Sequence, residues 1–225
     1  MIVAIVPAYN EEKTISEVVK RLKNQNFEVI VVDDCSKDKT FQKAKEAGAI
    51  VIRHERNMGK GFGLKSGIEY AFKIFPNAKY FVFIDADLQH IPEEAPRLIK
   101  KLEEGYDLAK GYRSWKNVPF RHKFGNYLWN FLFFIFFGLY VKDLGNGYMA
   151  MKAEIAKKIK NVLGGGYVIE AKILKECVKN KFKVAFVPVT VLYHKKSRIT
   201  RGIKIVFKVA FWIIKEGIKY RIYGR

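Results

Sequence analysis

The first half of the chain alternates short apolar runs with helical patterns, and this alternation limits the possible folds more than any other feature. Runs at 2–6, 29–32, 49–53, 80–84 and 107–111 predict buried parallel strands. Helices are predicted at 14–24, 39–47, 60–75 and 92–104, the first with a capping box of Thr14 and Glu17. This order predicts an α/β fold with a doubly wound, mostly parallel sheet.

Polar clusters follow three of these predicted strands, at 7–12, 33–38 and 85–89. Ligands of doubly wound sheets bind beyond the carboxyl ends of the strands, so the clusters predict an active site at one edge of the sheet. Taken singly, each cluster has a simpler interpretation. The first is a turn into a helix N-terminus, the second a helix cap and the third a solvated loop.

Oxygen-bearing side chains alternate in the third cluster, at Asp85, Asp87 and Gln89. Hard oxygen ligands at the end of a buried strand suit Mg²⁺ or Mn²⁺ held partly by the phosphates of a substrate. Such an ion would neutralise charge on a leaving nucleotide diphosphate.

A glycine-rich segment at 59–67 contains Lys60 and resembles a phosphate loop. It is not a Walker A motif, because Leu64 stands where the second glycine belongs, and its spacing does not fit a Rossmann fingerprint. Two interpretations stay open: a pyrophosphate at the helix N-terminus beside Lys60, or close packing of helix on sheet.

The 225 residues include 42 Lys and Arg against 22 Asp and Glu, a net charge of +20 that implies an anionic partner. High lysine content is also a thermophile trait. A nucleic-acid-binding protein would fit the charge, but not three acidic clusters at strand ends, so nucleic acid is not an expected partner. Cys35 and Cys177 form no CxxC, which fits a reducing compartment, and the early Pro7 argues against a signal peptide.

The second half is rich in aromatic residues and ends in a basic segment. The stretch 126–141 is too short to span a bilayer and predicts an interfacial hairpin or a lipid groove, or else a buried core helix or dimer interface. A helix at 167–180 and a strand at 183–189 follow. From residue 202 the pattern is helical and places Lys204, Lys208, Lys215 and Lys219 on one face, as in an interfacial anchor.

The stretches PAYNEE, DDCS, NMGKG and DADLQ, in this order, resemble the family 2 glycosyltransferases, and among them the dolichyl-phosphate mannose and glucose synthases. The resemblance covers about residues 1–115 strongly and extends to about 200. It implies a GT-A catalytic domain over 1–200, with a nucleotide-sugar half (1–115) and an acceptor half (116–200). Residues 201–225 would form a basic amphipathic tail that associates with the membrane.

The resemblance also implies roles for individual residues. Asp87 and Gln89 would hold the metal, and Asp85, Asp87, Arg113 and Arg121 would act in the transfer. Asp143, Gly147 and Tyr148 resemble an acceptor-side motif, and Glu170 matches a recurring glutamate. The residues implied in donor binding are Pro7, Tyr9, Glu11, Val31, Asp33, Lys60, Asp85, Ala86, Asp87, Arg113 and Arg198.

Two departures from the family pattern concern the acceptor side. Met149 and Ala150 stand where the relatives often carry an arginine. The stretch 193–198 is shorter than the family's basic loop and lacks its glycine, so the basic role falls on Arg198 and Lys196.

The function implied is inverting, metal-dependent transfer of a sugar from GDP-mannose or a UDP-sugar to polyprenyl or dolichyl phosphate. We expect a peripheral enzyme at the cytoplasmic face of a membrane. The alternatives are a glycosyltransferase that extends a glycan, for which Asp143 or Glu170 would act as base, and a nucleotidyltransferase. The latter usually has a glycine-rich basic loop where this chain has PAYNEE.

Overall fold

The computed structural model describes residues 1–114, 120–164, 166, 168–192 and 202–224, without the side chains of 120–122 and 202–203. These residues form a seven-stranded sheet in the order β3-β2-β1-β4-β6-β5-β7. The strands are Ile2–Ala8 (β1), Glu28–Asp33 (β2), Ile50–Arg53 (β3), Tyr80–Phe83 (β4), Leu108–Arg113 (β5), Met149–Lys152 (β6) and Val184–Val189 (β7). Only β6 runs antiparallel to its neighbours among the pairs of this sheet. The predicted mostly parallel α/β sheet is therefore confirmed, and β6 is an addition to it.

The described helices are Ile15–Lys23 (α1), Thr40–Glu46 (α2), Lys60–Ile74 (α3), Ala95–Glu103 (α4), Phe120–Phe137 (α5), Ala153–Ile159 (α6), Ile169–Lys179 (α7) and Gly202–Tyr223 (α8). Pro92 opens a 3₁₀ turn, Pro92–Glu94, that leads into α4. The capping box predicted for α1 is wrong. The Thr14 hydroxyl donates backwards to the carbonyl oxygen of Glu11 and caps no helix N–H, because the chain turns tightly at Glu11 before the helix begins.

Helices cover both faces of the sheet, as a doubly wound fold requires. One core lies between the sheet and α1, α2 and α4, and the other between the sheet and α3, α5, α6, α7 and α8. A Cβ on Gly67 would overlap the Ile5 side chain, and one on Gly63 would lie 3.1 Å from Pro7 Cβ. These glycines let α3 approach β1, so the packing interpretation of the glycine-rich segment holds for both.

The aromatic stretch of the second half is a continuous helix up to Phe137, so the predicted hairpin is wrong. Its buried face carries Phe133 and Phe137, while Phe124 and Phe131 are exposed on the other side. Helix α8 packs against α5, and the Trp129 indole N–H of α5 donates to the carbonyl oxygen of Val206 of α8 at 2.9 Å. The stretch is thus part core helix and part exposed aromatic surface.

Helix α8 is amphipathic, with Val209 and Ile213 buried against α5. Its exposed side carries the four predicted lysines. Of the helices within the described ranges, none combines the length and apolar character needed to cross a bilayer. The division of the chain into a domain over 1–200 and a tail over 201–225 stays a prediction.

Candidate active site

The three polar clusters meet because β2, β1 and β4 are neighbours in the sheet, which brings their carboxyl ends together. Hydrogen bonds join the first cluster to the second. The backbone N–H of Asn10 donates to Ser36 Oγ at 2.9 Å, and that of Glu11 donates to Thr40 Oγ1 at 2.8 Å. In the opposite direction, the N–H of Lys37 donates to Asn10 Oδ1 at 2.8 Å. The two loops therefore form one wall beside the sheet, which carries Tyr9 and Glu11.

Each cluster contains a residue in the left-handed region: Asn10 (φ 56°), Cys35 (φ 62°) and Leu88 (φ 58°). Asparagine tolerates this conformation, but cysteine and leucine adopt it rarely. Backbone strain of this kind concentrates at functional sites, where surrounding contacts hold it in place. Three of the five non-glycine residues with a positive φ among the described residues lie at this edge of the sheet, which favours it as the candidate site.

The second cluster is mostly occupied by internal contacts. Asp33 is fully buried; its Oδ1 accepts the N–H of Ser36 and its Oδ2 lies 3.2 Å from Arg53 Nε. Asp34 accepts the backbone N–H groups of Met58 and Gly59 at 2.8 and 2.7 Å and so fixes the approach to α3. Val31 is fully buried in the core, away from the surface of the site.

An ion cluster joins three elements at the centre of the site. Lys60 Nζ, at the start of α3, lies 2.6 Å from Asp85 Oδ1 and 3.2 Å from Glu170 Oε1 on α7. Gly147 packs directly on this cluster: a Cβ there would overlap Lys60 Nζ and lie 3.0 Å from Asp85 Oδ2. Of the residues in the glycine-rich segment, Lys60 therefore reaches the site.

The ion cluster holds Lys60 and Asp85 in their charged forms. Burial works to lower the pKa of Lys60, but Asp85 and Glu170 outweigh it and the pKa is raised. For Asp85, burial works to raise the pKa, but Lys60 and His90 outweigh it and the pKa is lowered. Asp85 is thus an anion whose charge is already matched by Lys60.

Asp87 has different surroundings. Burial, reinforced by the neighbouring charge of Asp85, raises the pKa of the Asp87 carboxyl. Its Oδ1 accepts the backbone N–H of Gln89 at 3.0 Å. A carboxylate short of positive charge, with an amide two residues on, fits a divalent cation. No group of three His, Cys, Asp or Glu side chains within the described ranges could hold a metal alone, so substrate phosphates would complete the shell.

Arg113, at the end of β5, is oriented by Asp143. Its Nε donates to Asp143 Oδ2 at 2.6 Å and its Nη2 to Oδ1 at 3.3 Å, a forked ion pair in which Asp143 is fully buried. The backbone N–H of Arg113 also donates to Asp143 Oδ2. The side chain of Arg121, and Lys196 and Arg198 altogether, lie outside the described residues, so their predicted roles stay predictions.

The segment from Lys142 to Tyr148, here called the central loop, contacts both Arg113 and the ion cluster. Asp143 orients Arg113, the carbonyl oxygen of Asn146 accepts from Lys110 Nζ, and Gly147 packs on the ion cluster. The Tyr148 hydroxyl donates to the carbonyl oxygen of Ile91 at 3.1 Å. The predicted acceptor-side motif is thus the segment that connects Arg113 with Asp85.

Sequence reasoning missed two buried titratable residues beside the central loop. Lys110 is fully buried on β5, and burial lowers its pKa to about 8. His90 packs its ring 5.1 Å from that of Tyr148, and burial lowers its pKa to about 4. A lysine inside the apolar run of a predicted strand was the one available signal for Lys110.

An aromatic groove of about 400 Å³ lies beside the central loop. It is lined by Tyr112, Tyr127, Asn130, Phe131, Phe134, Tyr140, Val141 and Lys142. Two of these residues are direct sequence neighbours of the Arg113–Asp143 ion pair. The groove therefore adjoins the two chain segments that carry Arg113 and Asp143.

Comparison with known families gives a match between residues 3–160 and the model of glycosyl transferase family 2. The chain belongs to this family. Some relatives of this family 2 glycosyltransferase align with nearly all of its length. The UDP-N-acetylglucosamine–dolichyl-phosphate N-acetylglucosaminyltransferase of Methanococcus voltae is 31% identical over 95% of this chain and 95% of its own length. The polyprenol monophosphomannose synthase of Mycolicibacterium smegmatis is 29% identical, over 94% and 86%.

Among solved structures, a similar fold is found in the glucosyl-3-phosphoglycerate synthase of Mycobacterium tuberculosis in complex with Mn²⁺, UDP and glucosyl-3-phosphoglycerate. Its TM-score is 0.77 at 23% identity, over 96% of this chain and 79% of that chain. The fold of this family 2 glycosyltransferase is thus shared with that enzyme, and the predicted GT-A fold is confirmed.

Proposed function

We propose that this glycosyltransferase moves a sugar from a nucleotide-sugar, GDP-mannose or a UDP-sugar, to the phosphate of a polyprenyl or dolichyl phosphate. The reaction would use Mg²⁺ or Mn²⁺ and take place at the surface of a membrane. Similarity to one enzyme named as a dolichyl-phosphate N-acetylglucosaminyltransferase and another named as a polyprenol monophosphomannose synthase, over most of the length of each, supports the lipid acceptor.

The observation that carries this proposal is the aromatic groove beside Arg113. Its lining combines aromatic rings with Lys142, the sequence neighbour of Asp143. A polyprenyl phosphate has the same division into a long apolar chain and an anionic head. With the chain in the groove, the phosphate would lie beside the guanidinium, whose planar fork suits a phosphate.

The surface around the groove supports a position at a lipid interface. Helix α5 exposes Phe124, Phe131 and Ile135 to solvent, with 60%, 61% and 47% of each residue accessible. Helix α8 adds Phe207 and Phe211, 66% and 69% accessible, and beside them runs the row of exposed lysines. Exposed aromatic rings next to lysines are typical of helices that lie in an anionic membrane surface. The free thiols of Cys35 and Cys177 fit the cytoplasmic face.

The ion pairs of the site also favour a phosphate acceptor. A sugar hydroxyl would need a general base, but Asp143 is already engaged by Arg113, and Glu170 by Lys60. A phosphate is already an anion. One of its oxygens would attack the anomeric carbon as the bond to the nucleoside diphosphate breaks, so the configuration inverts and no proton is transferred.

The donor would lie over the ion cluster. Asp87 and Gln89 would hold the divalent cation, which when bound neutralises charge on the leaving diphosphate. Asp85, fixed by Lys60, would orient the donor sugar, and the wall formed by the first two polar clusters would face the nucleoside.

A transfer assay tests this proposal. The protein is incubated with polyprenyl phosphate in detergent, Mg²⁺ or Mn²⁺, and a panel of labelled GDP- and UDP-sugars. We expect label to enter the organic phase with one donor only, to require the metal, and to be released by mild acid but not by mild base. If the protein binds a nucleotide-sugar but no label becomes linked to lipid, the acceptor would be a glycan instead.

A further inference from the structure

Helix α5 carries two asparagines, one helical turn apart, between its buried face and its exposed aromatic rings. Asn126 is 5% exposed, and Asn130 lies at the border between the core and the groove, whose wall it helps to form. An asparagine inside a strongly apolar helix carries a desolvation cost unless it makes hydrogen bonds. Both side chains bond to the same segment of backbone.

That segment is the part of the central loop on either side of Asp143. Asn130 Nδ2 donates to the carbonyl oxygen of Lys142 at 3.1 Å, and Asn130 Oδ1 accepts the N–H of Leu144 at 3.0 Å. Asn126 Oδ1 accepts the N–H of Gly145 at 3.1 Å. The two peptide groups that flank Asp143 are therefore both fixed by Asn130.

Asp143 passes this constraint on to Arg113. Its carboxylate accepts the backbone N–H, Nε and Nη2 of Arg113, so the direction of the guanidinium follows the position of the loop. The loop also lies close to the helix: a Cβ on Gly145 would be 3.3 Å from the Trp129 ring. A continuous set of contacts thus runs from the helix that lines the groove to the arginine at its end.

We propose that Asn126 and Asn130 are positioning residues for the transfer reaction. They act through Asp143 to hold Arg113 at a fixed position relative to the groove that α5 helps to line. This inference rests on the proposed function. The groove would place the lipid chain and Arg113 the phosphate, and the asparagines would keep the two at a fixed separation.

The test uses Asn130→Ala, which removes two of the three hydrogen bonds at a partly exposed position where alanine suits the helix. Asn180→Ala, at the C-terminal end of α7, is the matched control, because among the described residues its side chain hydrogen-bonds to Glu176, one turn earlier in the same helix. A misplacement of catalytic groups by about 1 Å costs about 100-fold. We expect kcat for polyprenyl phosphate to fall between about 10- and 100-fold in Asn130→Ala, with the KM for the nucleotide-sugar unchanged.

A double-mutant cycle separates positioning from general destabilisation. Arg113→Lys keeps the charge but loses the fork. If Asn130 acts through Arg113, adding Asn130→Ala to Arg113→Lys lowers kcat by less than threefold further. The proposal would be overturned if the fold-decrease in kcat of the double variant equalled the product of the two single decreases. A wild-type kcat for Asn130→Ala alone would also overturn it.

Hydrogen exchange gives a readout that needs no substrate. The backbone N–H of Arg113 donates to Asp143 at 3.1 Å, so its exchange should accelerate in Asn130→Ala and in Asn126→Ala but not in Asn180→Ala. Unchanged protection at Arg113 would overturn the proposal whatever the acceptor is. A wild-type protein that transfers no sugar to lipid, with the exchange result as expected, would count against the proposed function alone.

Discussion

Gly147→Ala tests the role of the ion cluster, because the added methyl group enters it directly. The new Cβ would lie 3.0 Å from Asp85 Oδ2 and 3.3 Å from Glu170 Oε1, and it would overlap Lys60 Nζ. To reach an ordinary contact of about 3.5 Å, the ammonium group must move by roughly 1 Å. Lys60 has a flexible side chain that is 29% exposed, so it can move outward without disturbing the core.

The consequences for stability and for catalysis should therefore differ. Outward movement of Lys60 leaves the free energy of unfolding within about 1 kcal/mol of wild type, as for most substitutions outside a tightly packed core. The same movement separates Lys60 from Asp85, and a misplacement of about 1 Å corresponds to about 100-fold in kcat/KM, or about 2.7 kcal/mol of transition-state stabilisation.

Steady-state transfer kinetics and urea unfolding of Gly147→Ala measure the two quantities. Gly166→Ala is the control, because a Cβ at that position meets no atom of the described residues beyond its chain neighbours within 4 Å, and it should keep full activity. Wild-type kcat/KM in Gly147→Ala would refute the importance of the Lys60–Asp85 geometry. A loss of several kcal/mol in stability would show instead that the central loop cannot accommodate the methyl group.

Three further predictions concern the metal, a buried lysine and the membrane. Asp87→Ala should abolish transfer and weaken Mn²⁺ binding in the presence of a nucleoside diphosphate, measured by calorimetry; near wild-type turnover would remove Asp87 from the metal site. Burial lowers the pKa of Lys110 from its ordinary value of 10.5 to about 8. Between these two pH values the unfolded chain binds more protons than the folded protein, so this lysine makes the free energy of unfolding rise with pH. Relative to Lys110→Met, the wild-type free energy of unfolding should rise by up to about 3 kcal/mol over that range in urea titrations, and a constant difference would contradict the burial of this charge. Replacing the four α8 lysines by Gln should weaken binding to anionic vesicles, measured by co-sedimentation, by about 1 kcal/mol per lysine. The same change at four exposed lysines elsewhere, Lys20, Lys23, Lys45 and Lys100, should have little effect. Equal losses of binding in both variants would contradict a specific membrane face.

The first half of the fold could be predicted because its signals are local. The strands around Ile5, Ile30 and Val82 are buried on both faces, so each is a continuous apolar run that periodicity analysis finds readily. The parallel connections then place the polar clusters at one edge, which is how the association of Asp85, Asp87 and Lys60 could be anticipated in part.

The second half could not be predicted in the same way, because its structure depends on contacts distant in sequence. Strand β6 is four residues long and contains two methionines and an alanine, so its pairing with β4 and β5 leaves little trace in the pattern. The asparagines of α5 look unfavourable in an apolar helix until the central loop is seen to bond to them.

The backbone strain at the site also could not be predicted from the sequence. Nothing in the residue types Cys35 and Leu88 predicts a left-handed backbone, which only the hydrogen bonds and packing of the assembled site enforce. Similarly, Asp143 was identified by resemblance as an acceptor-side residue, but its partner Arg113 is 30 residues away and becomes apparent only in the structure.

The most direct test of a phosphate nucleophile is a comparison of two acceptors that differ only at the head, a polyprenyl phosphate and the corresponding free polyprenol. Each is incubated in detergent with the preferred nucleotide-sugar and metal, and the products are identified by mass spectrometry. Because Asp143 and Glu170, the two carboxylates considered as a general base, are each held in an ion pair, we predict a glycosylated product from the phosphate and none from the alcohol. Transfer to the free polyprenol at a comparable rate would contradict this mechanism and would require a general base in the site.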